Sequence, residues 1–316
     1  MMQPLFLTPE FKERIWGGTA LQDEFGYKIP SNKTGECWAI SAHPNGASTV
    51  RNGRHEGKTL DQLWKEHPEL FGNADEEVFP LLTKILDANM DLSVQVHPED
   101  EFAKEHENGE LGKTECWYII DCKDDAEMVF GHTAKTKEEL EQQMKEGNWD
   151  GLLQRIKIKP GDFFYVPSGT IHALCEGTLV LETQQSSDTT YRLYDYDRLD
   201  DNGNPRELHL DKAKAVTTVP HKAIGANPTI EYHENAQIIT YVESEFFSVY
   251  KWNVTGPSSF CYDQQYLLCS VINGEGTITT HEGKSFSLKK GEHFIIQVGF
   301  GEFTIDGNLE MIVAHP

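Results

Sequence analysis

The sequence predicts a mainly β protein built from two barrel or jelly-roll units with small helical insertions. Three observations carry that prediction. Most apolar runs are short and end in Gly, Asn, Asp or Pro turns, as strands do. Only two stretches repeat their apolar residues at helical spacing. A segment with one distinctive layout also occurs twice, once in each half of the chain.

Strands are expected over residues 92–97, 117–122, 163–166 and 179–184, then over 267–272, 276–280 and 293–298. The first helix signal, over residues 58–70, puts Leu60, Leu63 and Trp64 on one face. The second, over 136–149, opens with Thr136 and Glu139 at capping-box spacing and continues through Leu140 and Met144. Many strands and few helices at this length suggest sandwiches or barrels.

The recurring segment is KPGDFFYVPSGTIH (159–172), which aligns without gaps to KKGEHFIIQVGFGE (289–302). Lys159 falls on Lys289, Gly161 on Gly291, Asp162 on Glu292, Phe164 on Phe294 and Gly169 on Gly299. Both copies read as a Gly-acidic turn, an apolar strand and a second glycine. Two related β units are therefore expected, residues 1–223 and 229–316, with a linker near 225–228. His172 closes the first copy and Glu302 the second, so a metal site would belong to the first unit alone.

Composition bounds the partners. The 316 residues carry 28 Lys+Arg against 51 Asp+Glu, a formal charge of −23. That field repels nucleic-acid backbones and anionic membranes, so neither is an expected partner. An anionic small molecule would need a local cluster of Lys and Arg. The N-terminal segment MMQPLFLTPEFKERIW has no basic n-region or continuous apolar h-region, and no apolar run is long enough to span a bilayer. The six cysteines contain no C-x-x-C pair, so they are expected as reduced, mostly buried thiols of a cytoplasmic protein. The sequence leaves the oligomeric state open, and a monomer is compatible with it.

Chemistry concentrates in three segments. In Asp91-Leu92-Ser93-Val94-Gln95-Val96-His97-Pro98, strand alternation puts Ser93, Gln95 and His97 on one face and Leu92, Val94 and Val96 on the other. Paired ligands would be arranged this way, and so would the polar face of a half-exposed strand. The run Gly161 to His172 has the spacing G-x5-P-x-G-x2-H. Its glycines allow tight turns, and its Pro-x-Gly bend aims the histidine into a barrel mouth. Between them, Glu115 opens an apolar strand, a placement that suits a third ligand. Two imidazoles, a carboxylate and an amide oxygen suit zinc, with iron or manganese as alternatives.

The G-x5-P-x-G-x2-H spacing resembles the second motif of the cupin superfamily, which implies two cupin-type units. Read further, the chain resembles the type I mannose-6-phosphate isomerases in their short bacterial form. The resemblance rests on Trp16-Gly17-Gly18, Gly35-Glu36-Cys37-Trp38 with His43-Pro44, Gln95-Val96-His97-Pro98, Lys113-Thr114-Glu115, Pro167-x-Gly169-x-x-His172, Glu182, and Ser186 to Arg192. It implies one zinc ion per chain on Gln95, His97, Glu115 and His172, in a catalytic first unit. It implies an active-site role for Arg192 and a sugar-phosphate substrate, the phosphate cradled by Ser93 and Lys84 with Arg192 or Lys113 nearby. Aldose–ketose isomerisation moves a proton between C1 and C2, and Lys113 and Glu182 are the candidates for that transfer. Trp16 and Trp38 fit either a sugar pocket or the core. Thr114 stands where longer members have proline, and the stretch 186–190 differs from theirs. Two rivals stand beside this reading. Iron dioxygenases on this scaffold carry H-x-H where Gln95-x-His97 stands here, and a non-catalytic sugar-binding protein would have no use for a complete ligand set.

Overall fold

A computed structural model describes residues 2–200, 202–225, 227–262 and 265–316. The first unit is a sandwich of two antiparallel sheets. One runs Phe163–Val166, Glu115–Cys122, Thr178–Gln185, Leu81–Ala88, Thr34–Ile40, Glu10–Gly18; the other runs Tyr191–Tyr194, Val94–Val96, His172–Leu174, Glu127–His132, Leu153–Lys157. Strand alternation decides which side chains enter between them. On Thr178–Gln185, Leu179 and Leu181 join one apolar cluster, while Val180 joins another with Trp117, Ile119, Met128 and Leu174 from both sheets. The inward face therefore also carries Glu182, and the cross-strand pairs Glu182↔Lys84 and Glu182↔Trp117 place their side chains alongside. Glu115 occupies the same inward set, since it shares the parity of Trp117 and Ile119 on its strand. A core that should be apolar is charged at these positions.

The second unit is a larger antiparallel sheet. Among the described residues it takes the order Thr229–Tyr232, Ala236–Glu243, Ser248–Val254, Gly301–His315, Leu267–Thr280, His293–Ile296, Leu5–Thr8, Thr49–Val50. Two of its strands thus come from the start of the chain, with Leu5 paired to Ile295 and Phe6 to Phe294. An apolar cluster holding Leu5, Ile85, Tyr118, Leu181, Leu268 and Ile312 joins the two units. The expected linker near 225–228 includes Ala226, which lies outside the described residues.

The repeat has a matching backbone. Gly161 and Gly291 have φ of 90° and 86°, Gly169 and Gly299 of 81° and 72°, all in the left-handed region open to glycine. In each copy the acidic side chain caps the turn, Asp162 accepting from Lys159 N–H and Glu292 from Lys289 N–H, both at 3.0 Å. The copies differ at their ends: His172 is buried, whereas Glu302 is exposed on Gly301–His315 opposite Cys261.

Several element bounds differ from expectation. The two strands expected over 267–272 and 276–280 are one strand, Leu267–Thr280, whose register shifts near Asn273 and which bends at Gly274 (φ 76°). Strand 92–97 shrinks to Val94–Val96, because Leu92 turns away to pack with Trp16 and Leu86 rather than with Val94 and Val96. The first helix signal resolves into Leu60–Glu66, opened by a Thr59/Gln62 capping box, and a 3-10 turn Pro68–Phe71. Proline at residue 68 prevents one continuous helix. The second signal becomes Lys137–Glu146, capped by Thr136 and ended by Gly147. Cys37, Cys116, Cys175 and Cys269 are buried, Cys122 is half-buried and Cys261 exposed. Among the described residues no helix is long and apolar enough to cross a membrane.

Candidate metal centre

Three pieces of backbone bring the centre together. His172 pairs with Gln95 across neighbouring strands, Val166 pairs with Glu115, and Gly169 N–H donates to the His97 carbonyl at 2.9 Å. Glycine is required at residue 169: a Cβ there would lie 2.4 Å from Thr218 Oγ1. The bend is thus clamped between the Thr218 segment and the His97 backbone.

His97 and His172 are both oriented through Nδ1, which donates to the Thr189 carbonyl at 2.9 Å and the Thr170 carbonyl at 2.8 Å. Those bonds fix the tautomers and leave both Nε2 atoms as acceptors. The two Nε2 atoms face each other at 3.1 Å, with Glu115 oxygens 3.5 Å from His97 and 3.2 Å from His172. The charge nearest Glu115 is the Lys113 ammonium, 2.8 Å from one of its oxygens. The two histidines and Glu115 are at most 1% exposed. Two imidazole nitrogens and a carboxylate converging in a dry site form a donor set that fits a divalent metal. His97, Glu115 and His172 form one such group, their ligand atoms lying within 4.8 Å of one another. Gln95 stands beside it on the cavity side: its Nε2 lies 3.4 Å from His172 Nε2, and turning the amide over would present its oxygen instead.

The charges beside the centre are arranged in pairs. Lys113 Nζ lies 2.8 Å from Glu115 and 3.2 Å from His97 Nε2. Burial and then the Lys113 charge push the His97 imidazole well below its usual range. Burial acts to raise the Glu115 carboxyl, but Lys113 and the two histidines hold it well below the usual carboxylate range. Glu182 goes the other way: burial and the nearby Glu115 charge raise it above the usual carboxylate value. One Glu182 oxygen accepts from Trp117 Nε1 at 3.0 Å and the other faces Lys84 Nζ at 3.6 Å.

A cavity of about 300 Å³ opens beside these groups and is lined by Ser93, Gln95, Lys113, Glu182, Lys84 and Arg192, among others. Arg192 Nε donates to Ser93 Oγ at 3.1 Å. The structure therefore brings together every site residue the sequence singled out, with His97, Glu115 and His172 behind Gln95 and Lys113. Trp16 lines the cavity, whereas Trp38 is fully buried, its ring between Lys12 at 5.3 Å and Lys84 at 4.8 Å. Sequence reasoning passed over Arg14 and Arg206, and gave no role to Glu36 and Asp188 within the segments it quoted, although all four line the cavity. Arg14 stands two residues from Trp16 in an extended strand, a spacing that could have suggested it. Nothing local marks Arg206.

Comparisons with known proteins agree across the whole chain. Residues 5–144 match the family described as phosphomannose isomerase type I, catalytic domain, and residues 237–316 match the mannose-6-phosphate isomerase cupin domain. A Bacillus subtilis protein named "Probable mannose-6-phosphate isomerase GmuF" is 62% identical over 100% of both chains. The mannose-6-phosphate isomerase of Streptococcus mutans is 52% identical over 100% of this chain and 99% of its own. The crystal structure of the mannose 6-phosphate isomerase from Bacillus subtilis, 58% identical, superposes with a TM-score of 0.98 over 100% of both chains.

Proposed function

Because this chain belongs to the type I phosphomannose isomerase family, we propose that it interconverts D-mannose 6-phosphate and D-fructose 6-phosphate. One zinc ion per chain, held by Gln95, His97, Glu115 and His172, would supply Lewis acidity toward the sugar's O1 and O2. The observation that carries this reading is the pair of imidazole acceptors facing each other at 3.1 Å above a buried carboxylate.

The chain's own residues do the rest. Glu182 takes the proton from C2 of the open-chain aldose and returns it to C1 of the cis-enediol(ate). Its geometry supports that role, since one carboxylate oxygen has Lys84 beyond hydrogen-bonding distance and is open to a proton. Lys113, bound to Glu115, holds a positive charge beside the oxygens that exchange the second proton. Arg192 adds a second cation. Ser93 and Lys84 steady the phosphate end with Arg192. The two-sheet sandwich within residues 1–223 is the catalytic unit, and 229–316, joined by Leu5–Thr8 and Thr49–Val50, a metal-free supporting one, in a cytoplasmic enzyme.

The test is a coupled isomerase assay with and without chelator. Turnover of mannose 6-phosphate should vanish on chelation and return with zinc. Turnover that persists in protein shown to be metal-free would refute the metal assignment. Bound iron with oxygen consumption would point to the dioxygenase reading instead.

A further inference from the structure

Cations in the cavity lining are matched to carboxylates, with one exception. Arg14 donates to both oxygens of Glu36, at 2.8 and 3.1 Å. Lys84 faces Glu182 at 3.6 Å, and Lys113 faces Glu115 at 2.8 Å. On the remaining wall Arg192 and Arg206 line the cavity, and one acid behind it, Asp195, is shared by Arg206 and Arg198. Asp195 accepts from Arg206 Nε at 2.7 Å and Nη2 at 2.5 Å, and from Arg198 Nη2 at 2.5 Å. Arg192 stands beside them and, among the described residues, has no carboxylate within ion-pair distance; its donors go to Ser93 Oγ and the Glu207 carbonyl. Arg206 is the strongest like charge that Arg192 feels. The cluster of Arg192, Arg198, Arg206 and Asp195 therefore carries two positive charges more than it neutralises. The other acid lining the cavity, Asp188, is exposed and held by Asn45.

The geometry points to this wall as a dianion subsite in which Arg206, mounted on the positioning residue Asp195, binds the substrate's phosphate and selects for phosphorylated sugars. This rests on the sugar-phosphate reading above and adds to it a residue and a source of specificity. Arg206 spends Nε and one N–H of Nη2 on Asp195, so Nη1 and the second Nη2 N–H are the donors left for what the cavity holds. Arg192 and Ser93 present donors to the same space. Ser93 is two residues from Gln95, roughly 7 Å along an extended chain, which suits a phosphate at the far end of a sugar whose first carbons lie at the metal. A phosphate monoester carries about −1.5 to −2 charges near neutrality, matching the surplus of the cluster. The mounting also costs the backbone something. Asp195 and Arg198 are the ends of a turn closed by Arg198 N–H to the Asp195 carbonyl, with Tyr196 and Asp197 at φ of 57° and 54°. Such turns favour Asn and Gly at those positions. Keeping tyrosine there is understandable if the turn must hold Asp195 against both arginines while Arg198 covers the Tyr196 ring at 5.2 Å.

The experiment compares wild type with Arg206→Gln, Arg206→Lys, Asp195→Asn and Asp195→Glu, reading three quantities. These are KM and kcat for mannose 6-phosphate, inhibition by inorganic phosphate, and turnover of unphosphorylated mannose at high enzyme concentration. Arg206→Gln should raise KM and the phosphate inhibition constant together by about 10- to 100-fold, as loss of a charge-assisted bond does. Its kcat should change little, and the preference for mannose 6-phosphate over mannose should fall by the same factor. Asp195→Asn should move KM in the same direction, with Asp195→Glu recovering part of the loss. Arg206→Lys keeps the charge and serves as the folded control should the glutamine variant misfold. Equal KM and phosphate inhibition in wild type and all folded variants would overturn the inference while leaving the isomerase reading intact. Wild-type protein that neither turns over mannose 6-phosphate nor is bound by phosphate would overturn both.

Discussion

Acid should weaken the seam between the two units, and His293 allows the effect to be sized. Its ring is 1% exposed. Nδ1 accepts from Ser270 Oγ at 2.8 Å, and Nε2 donates to Tyr27 Oη at 2.8 Å, which in turn donates to the Gly291 carbonyl at 2.7 Å. Every polar atom of the neutral ring is satisfied across the join between Tyr27 of the first unit and the sheet of the second. Burial, with the Arg51 charge adding, pushes the imidazole down to about 3. In the unfolded chain it titrates near 6.5, so between these values the unfolded state binds the extra proton. The stability from a neutral His293 is thus complete above about pH 6.5 and drains away as pH falls toward 3. Each pH unit within that window is worth about 1.4 kcal/mol, so going from pH 7 to 4.5 should remove about 2.5 kcal/mol through this residue alone. Carboxylates titrate too, so the measurement is a difference. Urea unfolding followed by tryptophan fluorescence at both pH values should show wild type losing about 2.5 kcal/mol more than His293→Gln, which cannot take a proton. Parallel losses in the two proteins would refute the argument.

Other outcomes follow from the site. His172→Ala should lose bound metal and turnover together, whereas Arg192→Ala should keep the metal and lose turnover; metal content by mass spectrometry beside the coupled assay separates them. Glu182→Gln should lower kcat by about 10²–10⁴-fold with metal content unchanged; an unimpaired kcat would remove Glu182 from proton transfer. Gly169→Ala forces a side chain into a left-handed residue against Thr218, so it should cost about 1–3 kcal/mol in chemical denaturation. It should also weaken metal retention, because the Gly169 N–H holds the His97 backbone.

The parts of this architecture that show in the sequence are those governed by local rules. Alternation along an extended chain put Gln95 and His97 on one face, and the Pro167-Ser168-Gly169 bend has few ways to be built other than the observed one. The matched φ angles at Gly161 and Gly291 explain why the repeat survives as a pattern: these positions tolerate little else. Leu92 broke the alternation because the backbone twists out of the strand just before Val94. Arg206 stayed hidden because its place depends on Asp195, and that pairing is made through a turn no propensity scale favours. The inclusion of Leu5–Thr8 in the second sheet depends on partners almost a whole chain away, which local pattern does not encode.

That early strand has a consequence for how the protein is made. Leu5–Thr8 emerges from the ribosome long before His293–Ile296, the neighbour against which it must zip. Until then its hydrogen-bonding edge and the side chains of Leu5 and Leu7 wait unpaired beside a half-finished enzyme. Synthesis that stalls within the last third would therefore leave a sticky ribbon at the front of the chain, and chaperone capture should be greatest for nascent chains arrested there.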